Sequence, residues 1–253
     1  MDFKKVVSFP KLNKNSISQD KEWFIFRDGV GERKIRLHDY REMYKIPGLY
    51  EYIVMTKLQC QTPQKLKKLL IDEIRRRGMQ IDQLKVLDLG AGNGIMGENF
   101  LNSGVQNIVG IDILPEAKIA TERDRPNIYS NYFVINLKHP PPKIYTKLIS
   151  YQFDCLTVAS ALAFNDIPPD VFSIAYNLIK NDGLIVFNIK DTFIKSNDQS
   201  GFYNLITEIT KRNIFLQLHR ERYKHRQSIN GKPIFYTAFL GIKKANIQIS
   251  DIF

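Results

Sequence analysis

Residues 86–94 read Val86-Leu87-Asp88-Leu89-Gly90-Ala91-Gly92-Asn93-Gly94. An apolar run with the pattern of a buried strand feeds a turn that holds three glycines, and a stretch with helical spacing follows. Glycines let the backbone approach a ligand closely and adopt dihedrals barred to other residues. The helix expected next presents free N–H groups at its start. Asp88, at the strand end, is the discriminating residue. Its carboxylate would repel a pyrophosphate and suits a cationic ligand that carries an amino group. Gly92, Gly94 and Gly97 also fit the spacing G-x-G-x-x-G of dinucleotide-binding turns. In that fingerprint the first glycine comes directly after the strand. Here Gly90 does, and the sixth position counted from it is Ile95. Gly97 is therefore read as a small helix residue that permits close packing.

Outward from this turn, strand and helix patterns alternate. Strands are expected over 85–90, 107–113, 131–137, 153–160 and 183–190. Helices are expected over 95–104, 115–125, 168–183 and 202–213. Two last strands, 214–223 and 234–244, flank a turn at Asn230-Gly231. This alternation predicts an α/β fold: three Rossmann-like layers around a seven-stranded, mostly parallel sheet. The final pair is joined as a hairpin, so one of its strands runs antiparallel to its neighbour. Before the sheet, Thr62-Pro63 opens a helix, with Thr62 as cap and Pro63 at the first helical position. Arg75, Arg76 and Arg77 close it, where cations suit the helix dipole.

The second informative stretch is Val109-Gly110-Ile111-Asp112-Ile113, a strand ending in a carboxylate 24 residues after Asp88. A carboxylate at the end of the second strand of such a sheet is placed to accept hydrogen bonds from ribose hydroxyls. On Asp88, Gly90, Gly92, Gly94 and Asp112, residues 84 to about 193 resemble the class I S-adenosylmethionine (SAM)-dependent methyltransferases. The resemblance implies SAM as cofactor. It implies that the turn Gly90, Ala91, Gly92, Asn93 and Gly94 cradles the methionine portion. It places Asp88 near the amino group, and Asp112, with Ile113 beside it, at the ribose. It also implies that the last hairpin strand is the antiparallel one. The stretches 38–40, 46–51 and 123–126 resemble bacterial methyltransferases and point to no acceptor.

Two further stretches align more loosely. Many members place an acidic residue after the third strand, facing the adenine amino group. Here that place reads Ile135-Asn136-Leu137, and the Asn136 amide oxygen still accepts a hydrogen bond. Ala159 to Ala161, after the fourth strand, would line the pocket beside the methyl donor. The Asn/Asp-Pro-Pro-aromatic motif of amino-group DNA methyltransferases is absent. Asn165 and Asp166 fit a helix cap and a substrate contact equally. Arg123-Asp124-Arg125 is expected to form a structural ion pair.

The flanks carry the positive charge. The net +11 divides into +8 over residues 1–80, −2 over 81–180 and +5 over 181–253. Basic flanks suit an acidic partner such as RNA; a solvated basic surface is the simpler reading. Residues 1–60 are expected to form a tail and a helical, aromatic cap or lid, and 61–253 the SAM-binding domain. Within the cap, His38-Asp39-Tyr40 is the compact polar group. A histidine beside a carboxylate serves as general base for O-methylation, while an Asp39 helix cap with an exposed His38 is the structural alternative. Cys60 and Cys155 show no metal spacing and are read as reduced thiols; no metal is expected. No apolar run nears the ~20 residues of a membrane span. The N-terminus lacks the apolar core of a signal peptide, so a cytoplasmic location is expected. The function expected is methyl transfer to an oxygen or nitrogen of a small molecule. RNA methylation and a non-catalytic SAM-binding role are the alternatives. The sequence gives no oligomeric state.

Overall fold

The computed structural model describes residues 2–10, 17–162, 164 and 166–248. The chain divides into two compact units, Met1–Gln61 with Lys224–Phe235, and Thr62–Tyr223 with Tyr236–Phe253.

The first unit opens with α1 (Phe3–Val6) and β1 (Val7–Ser8), then β2 (Trp23–Asp28), β3 (Gly31–Arg36) and α2 (Tyr40–Lys45). The three strands pair antiparallel. In β2, Phe24 and Phe26 face inward, where they meet Ile35, Met43, Leu49 and Ile53. The Asp28 carboxylate accepts hydrogen bonds from the backbone N–H of Val30 and Gly31 and so shapes the β2–β3 turn. Within the part expected to be a tail, residues 3–8 and 19–21 thus form regular structure; residues 1 and 11–16 lie outside the described set. The strand β3 was not foreseen, because only Ile35 of its six residues is buried and the rest read as polar. After Pro47-Gly48 the expected helical cap continues as a π-helical segment, Glu51–Lys57. Residues 224–235 close this unit. The Gln61 N–H donates to the His225 carbonyl, and the Gln227 N–H to that of Leu58. Arg226 donates to Glu22 at 2.6 Å, with both side chains buried. Glu22 also accepts from the Ile229 N–H at 2.8 Å.

The second unit contains α3 (Thr62–Arg76), β4 (Lys85–Leu89), α4 (Ile95–Leu101), β5 (Asn107–Asp112), α5 (Pro115–Asp124), β6 (Asn131–Val134), α6 (Pro142–Ser150) and β7 (Phe153–Val158). Then follow α7 (Pro169–Asn177), β8 (Ile179–Lys190), α8 (Phe202–Lys211), β9 (Phe215–Gln227) and β10 (Pro233–Lys243), of which residues 224–227 and 233–235 belong to the first unit. The seven-stranded sheet has the order β6-β5-β4-β7-β8-β10-β9, with β4 to β8 parallel and β10 antiparallel to β8. That is the α/β architecture the sequence predicts. Every residue of β7 is buried, as a central strand covered on both faces requires. One face meets Phe172 and Tyr176 of α7 and Phe202, Leu205 and Ile209 of α8. The other meets Leu66, Leu70 and Ile74 of α3 and Met96 and Phe100 of α4.

Three local features depart from the expected pattern. The helix α6 was not foreseen; Pro140-Pro141-Pro142 reads as a break, although Pro142 is an allowed first helical residue and Leu148 is buried. The helix α7 stops at Asn177, six residues early. There the buried Lys243 ammonium donates to the carbonyls of Asn177 and Ile179, which a helix end leaves without intrahelical partners. Thr62 is itself the first residue of α3, and its hydroxyl bonds the Tyr223 hydroxyl at 2.7 Å. In the last turn of α3, Arg76 and Arg77 clamp the buried Glu73 and hold its carboxyl at about 2, the Arg76 hydrogen bond being the largest cause. Neither cysteine is in a disulfide, and both are buried. Burial pushes the Cys155 thiol up to about 12. No helix is long and apolar enough to cross a membrane among the described residues.

Candidate cofactor site

Side chains alternate along β4, so Leu87 and Leu89 enter one core while Val86 and Asp88 face the other. Asp88 is 1% exposed. Its carboxylate accepts a 2.6 Å hydrogen bond from the Tyr129 hydroxyl. Burial pushes the Asp88 carboxyl up to about 7, the nearby Asp112 charge adds to this, and the Tyr129 bond opposes it.

The glycine turn begins at the next residue. Gly90 has φ +71, and a Cβ there would stand 2.9 Å from Ala161 Cβ and 3.1 Å from Ile167 Cδ1. Gly94 has φ +88, and a Cβ there would meet Ile128 Cδ1 at 2.5 Å. Left-handed backbone and close neighbours both exclude a side chain at these two positions. Between them the turn is stitched to its surroundings. Asp112, at the end of β5, accepts from the Gly92 N–H with one carboxylate oxygen and from the Leu114 N–H with the other, each at 2.9 Å. The Gly92 carbonyl accepts from the Tyr132 hydroxyl at 2.7 Å and the Thr121 hydroxyl at 2.9 Å. Burial raises the Asp112 carboxyl, against those backbone hydrogen bonds. The Asn93 carbonyl accepts from Arg125, which also pairs with Glu98.

Tyr129 and Tyr132 were not foreseen as partners of this turn. Their rings meet edge to face at 5.3 Å. Gly97, read as a packing residue, lies under Tyr129: a Cβ there would stand 2.7 Å from the ring. Nothing in the local sequence signals this, because the pairing spans 41 residues between Asp88 and Tyr129.

The structure brings Asp88, the turn 90–94 and Asp112 together. Ile113 is 60% exposed beside Asp112, an uncovered apolar face. Asn136 turns its amide oxygen to the Lys138 N–H, and the Leu137 side chain lies in the core, 2% exposed, leaving only its backbone for a ligand. Ala159 is half-buried against the α3-side core. Arg123 pairs with Asp124. Asp166 is exposed; Asn165 lies outside the described residues. His38, Asp39 and Tyr40 belong to the first unit. Asp39 precedes α2 and accepts from the Met43 N–H through its carbonyl, and the His38 and Tyr40 rings lie 5.8 Å apart. Among the described residues no group of three or more His, Cys, Asp or Glu could hold a metal ion. The site thus brings together two carboxylates, a glycine turn held by hydrogen bonds and the exposed Ile113 side chain.

Residues 87–187 match the family profile described as "Methyltransferase domain". On this match the region is a methyltransferase domain. The chain shares its fold with solved structures at low identity. A SAM-dependent methyltransferase from Clostridium acetobutylicum aligns over 78% of this chain and 97% of its own, at 12% identity and TM-score 0.52. A candidate RNA methyltransferase from Pyrococcus horikoshii aligns over 74% and 88%, at 17% identity and TM-score 0.52. Magnesium protoporphyrin IX methyltransferase from Synechocystis, solved with bound SAM, aligns over 72% and 79%, at 11% identity and TM-score 0.50. No curated protein matches the methyltransferase in sequence.

Proposed function

We propose that this methyltransferase transfers the methyl group of SAM to an oxygen or nitrogen of a small-molecule acceptor. The observation that carries the choice of acceptor is the fate of the basic flank. In the stretch 219–226, Arg222 pairs with Asp191, Arg226 with the buried Glu22, and Arg220 lies over the Phe239 ring. His225 is buried, and Glu221 pairs with Lys65. Part of this positive charge is thus engaged within the fold: Arg226 is buried with its partner and Arg222 is paired at the surface, while Arg220 and Lys224 remain exposed. The protoporphyrin enzyme among the similar folds acts on a small molecule; the Pyrococcus protein represents the RNA alternative. RNA binding that is tight and falls steeply with salt would favour that alternative.

The site residues take these roles in the proposal. Asp112 accepts from the ribose hydroxyls, Asp88 attracts the amino group, and the turn Gly90-Ala91-Gly92-Asn93-Gly94 follows the methionine portion. Ile113 packs against the adenine ring, Asn136 and the Leu137 backbone meet its edge, and Ala159 lies beside the methyl donor. SAM brings an already activated methyl group. The chain's own task is therefore to hold donor and acceptor in line and exclude water. The Asp39 side chain makes no capping hydrogen bond at the start of α2, and no proton acceptor is assigned among His38, Asp39 and Tyr40.

Asp112→Ala tests the ribose assignment. It should weaken S-adenosylhomocysteine (SAH) binding by about 1–3 kcal/mol, the range for polar groups left unpaired. Isothermal titration with unchanged affinity would sink it. The Asp88 assignment predicts a pH dependence. Burial raises this carboxyl to about 7, so free protein holds it neutral below pH 7 and loses stability as pH rises through that value. A ligand ammonium favours the ionised form. SAH affinity should therefore fall as pH drops from 8 to 6, by up to about tenfold per unit below 7, with proton release on binding. Asp88→Asn should flatten this profile; a profile that is flat in the native protein refutes the assignment.

A further inference from the structure

Asn188 is fully buried in β8, on the same face as Val186, at a sheet position where its paired residue is Ala238. An amide there is unfavourable unless its polar groups are satisfied. Its Oδ1 accepts from the Ser160 N–H at 2.7 Å. Its Nδ2 donates to the Tyr223 hydroxyl at 2.8 Å and to the Thr62 hydroxyl at 3.2 Å. Those two hydroxyls bond each other at 2.7 Å. One side chain thus joins β8, the start of α3, β9 and the turn after β7.

That turn is strained. Ser160 has φ +60, a left-handed conformation that costs a residue with a Cβ about 1–2 kcal/mol. It persists because Asn188 holds the Ser160 N–H. The strained residue sits between Ala159 and Ala161, and Ala161 packs on Gly90 so closely that a Cβ on Gly90 would reach it at 2.9 Å. The geometry around Ser160 is therefore passed directly to the glycine turn.

We propose that Asn188 is a positioning residue that fixes the Ala159-Ser160-Ala161 turn as the wall of the cofactor site beside the transferring methyl group. The proposal rests on the reading that the glycine turn holds SAM. Asn188 touches neither reactant; it acts through Ser160. Two measurements on the full chain test it: hydrogen exchange of backbone amides, and affinities for SAM and SAH, which differ by the methyl group and its charge. In Asn188→Leu the Ser160 amide should exchange about tenfold to a hundredfold faster, the scale of a lost buried hydrogen bond. Amides of β4 should keep their rates. The ratio of SAM to SAH affinity should shift about threefold or more, the scale of one weak contact. Asn188→Asp keeps an acceptor oxygen for Ser160 and should restore both readouts. Tyr223→Phe should move them the same way by less, and serves where Asn188→Leu does not fold. Unchanged Ser160 exchange in the variants overturns the anchoring. SAM and SAH weakened equally, in a chain whose native form binds both, overturns the methyl-side role alone. Native protein that binds neither nucleoside defeats the underlying cofactor reading instead, while the exchange rates still decide the anchoring.

Discussion

Glu22→Ala is expected to destabilise the N-terminal unit by about 3–5 kcal/mol, the range for removing one partner of a buried ion pair. The size follows from what is left behind. Arg226 is 5% exposed, so its guanidinium would be stranded without the carboxylate that now holds it. The Ile229 N–H would lose its acceptor at the same moment. Trp23, the single tryptophan, follows Glu22 directly and lies in β2, so denaturation followed by its fluorescence reads this unit. The double variant Glu22→Gln/Arg226→Met removes both charges while keeping an acceptor oxygen for Ile229. It should recover much of the loss, because the penalty lies in the unpaired charge rather than in the absence of the pair. A single variant with an unchanged midpoint would show that this pair does not hold the unit together.

Gly94→Ala should have the largest effect on the cofactor site. The left-handed backbone at φ +88 costs an alanine about 1–2 kcal/mol. The new methyl group would also stand 2.5 Å from Ile128 Cδ1. Overpacking of that kind costs about 1–3 kcal/mol more. Ile128 is buried, and Thr121 Cγ2 lies 3.2 Å away on the same side, so relief has to come from the turn itself. Gly92 lies two residues back in that turn, and its N–H is held by Asp112. SAH affinity should therefore fall by at least about tenfold, beyond the loss in stability. Gly78→Ala is the control: φ is +64 there too, but nothing lies within 4 Å, so only the strain is added and SAH binding should be unaffected. Full affinity in Gly94→Ala would mean that the turn does not shape the site.

What was legible in the sequence was chemistry carried by neighbours along the chain. The run 86–94 and the strand-end Asp112 announce themselves, because a tight turn needs glycine and a strand end exposes its last side chain. The alternation of strand and helix gives a mostly parallel sheet covered on both faces, whereas the order of its strands is seen only in the folded chain. What was not legible depends on residues that meet only after folding. Tyr129 and Tyr132 look like ordinary strand-flanking aromatics until one of them is seen on Asp88 and the other on the Gly92 carbonyl. Thr62 reads as a helix cap, since the preference for threonine there is strong. Its actual partners, Tyr223 and Asn188, are 161 and 126 residues away. Leu137 illustrates the reverse error. Its neighbour Asn136 is polar and holds the Lys138 N–H, so the pair was grouped, but the turn after β6 puts the Leu137 side chain in the core.

The N-terminal unit is discontinuous in sequence, because residues 224–235 complete it. This has a consequence for how the protein is made. The first 61 residues leave the ribosome with Glu22 still lacking Arg226. Some 160 residues of the second unit must be synthesised before the partner emerges, which at bacterial or eukaryotic elongation rates is about 10–30 s. During that interval every buried member of the unit's apolar core, from Val7 to Leu58, is already present, while Glu22 has neither the Arg226 guanidinium nor the Ile229 N–H. The apolar core is thus made early and the buried ion pair closes late, and a chain that terminates before residue 224 lacks that closure.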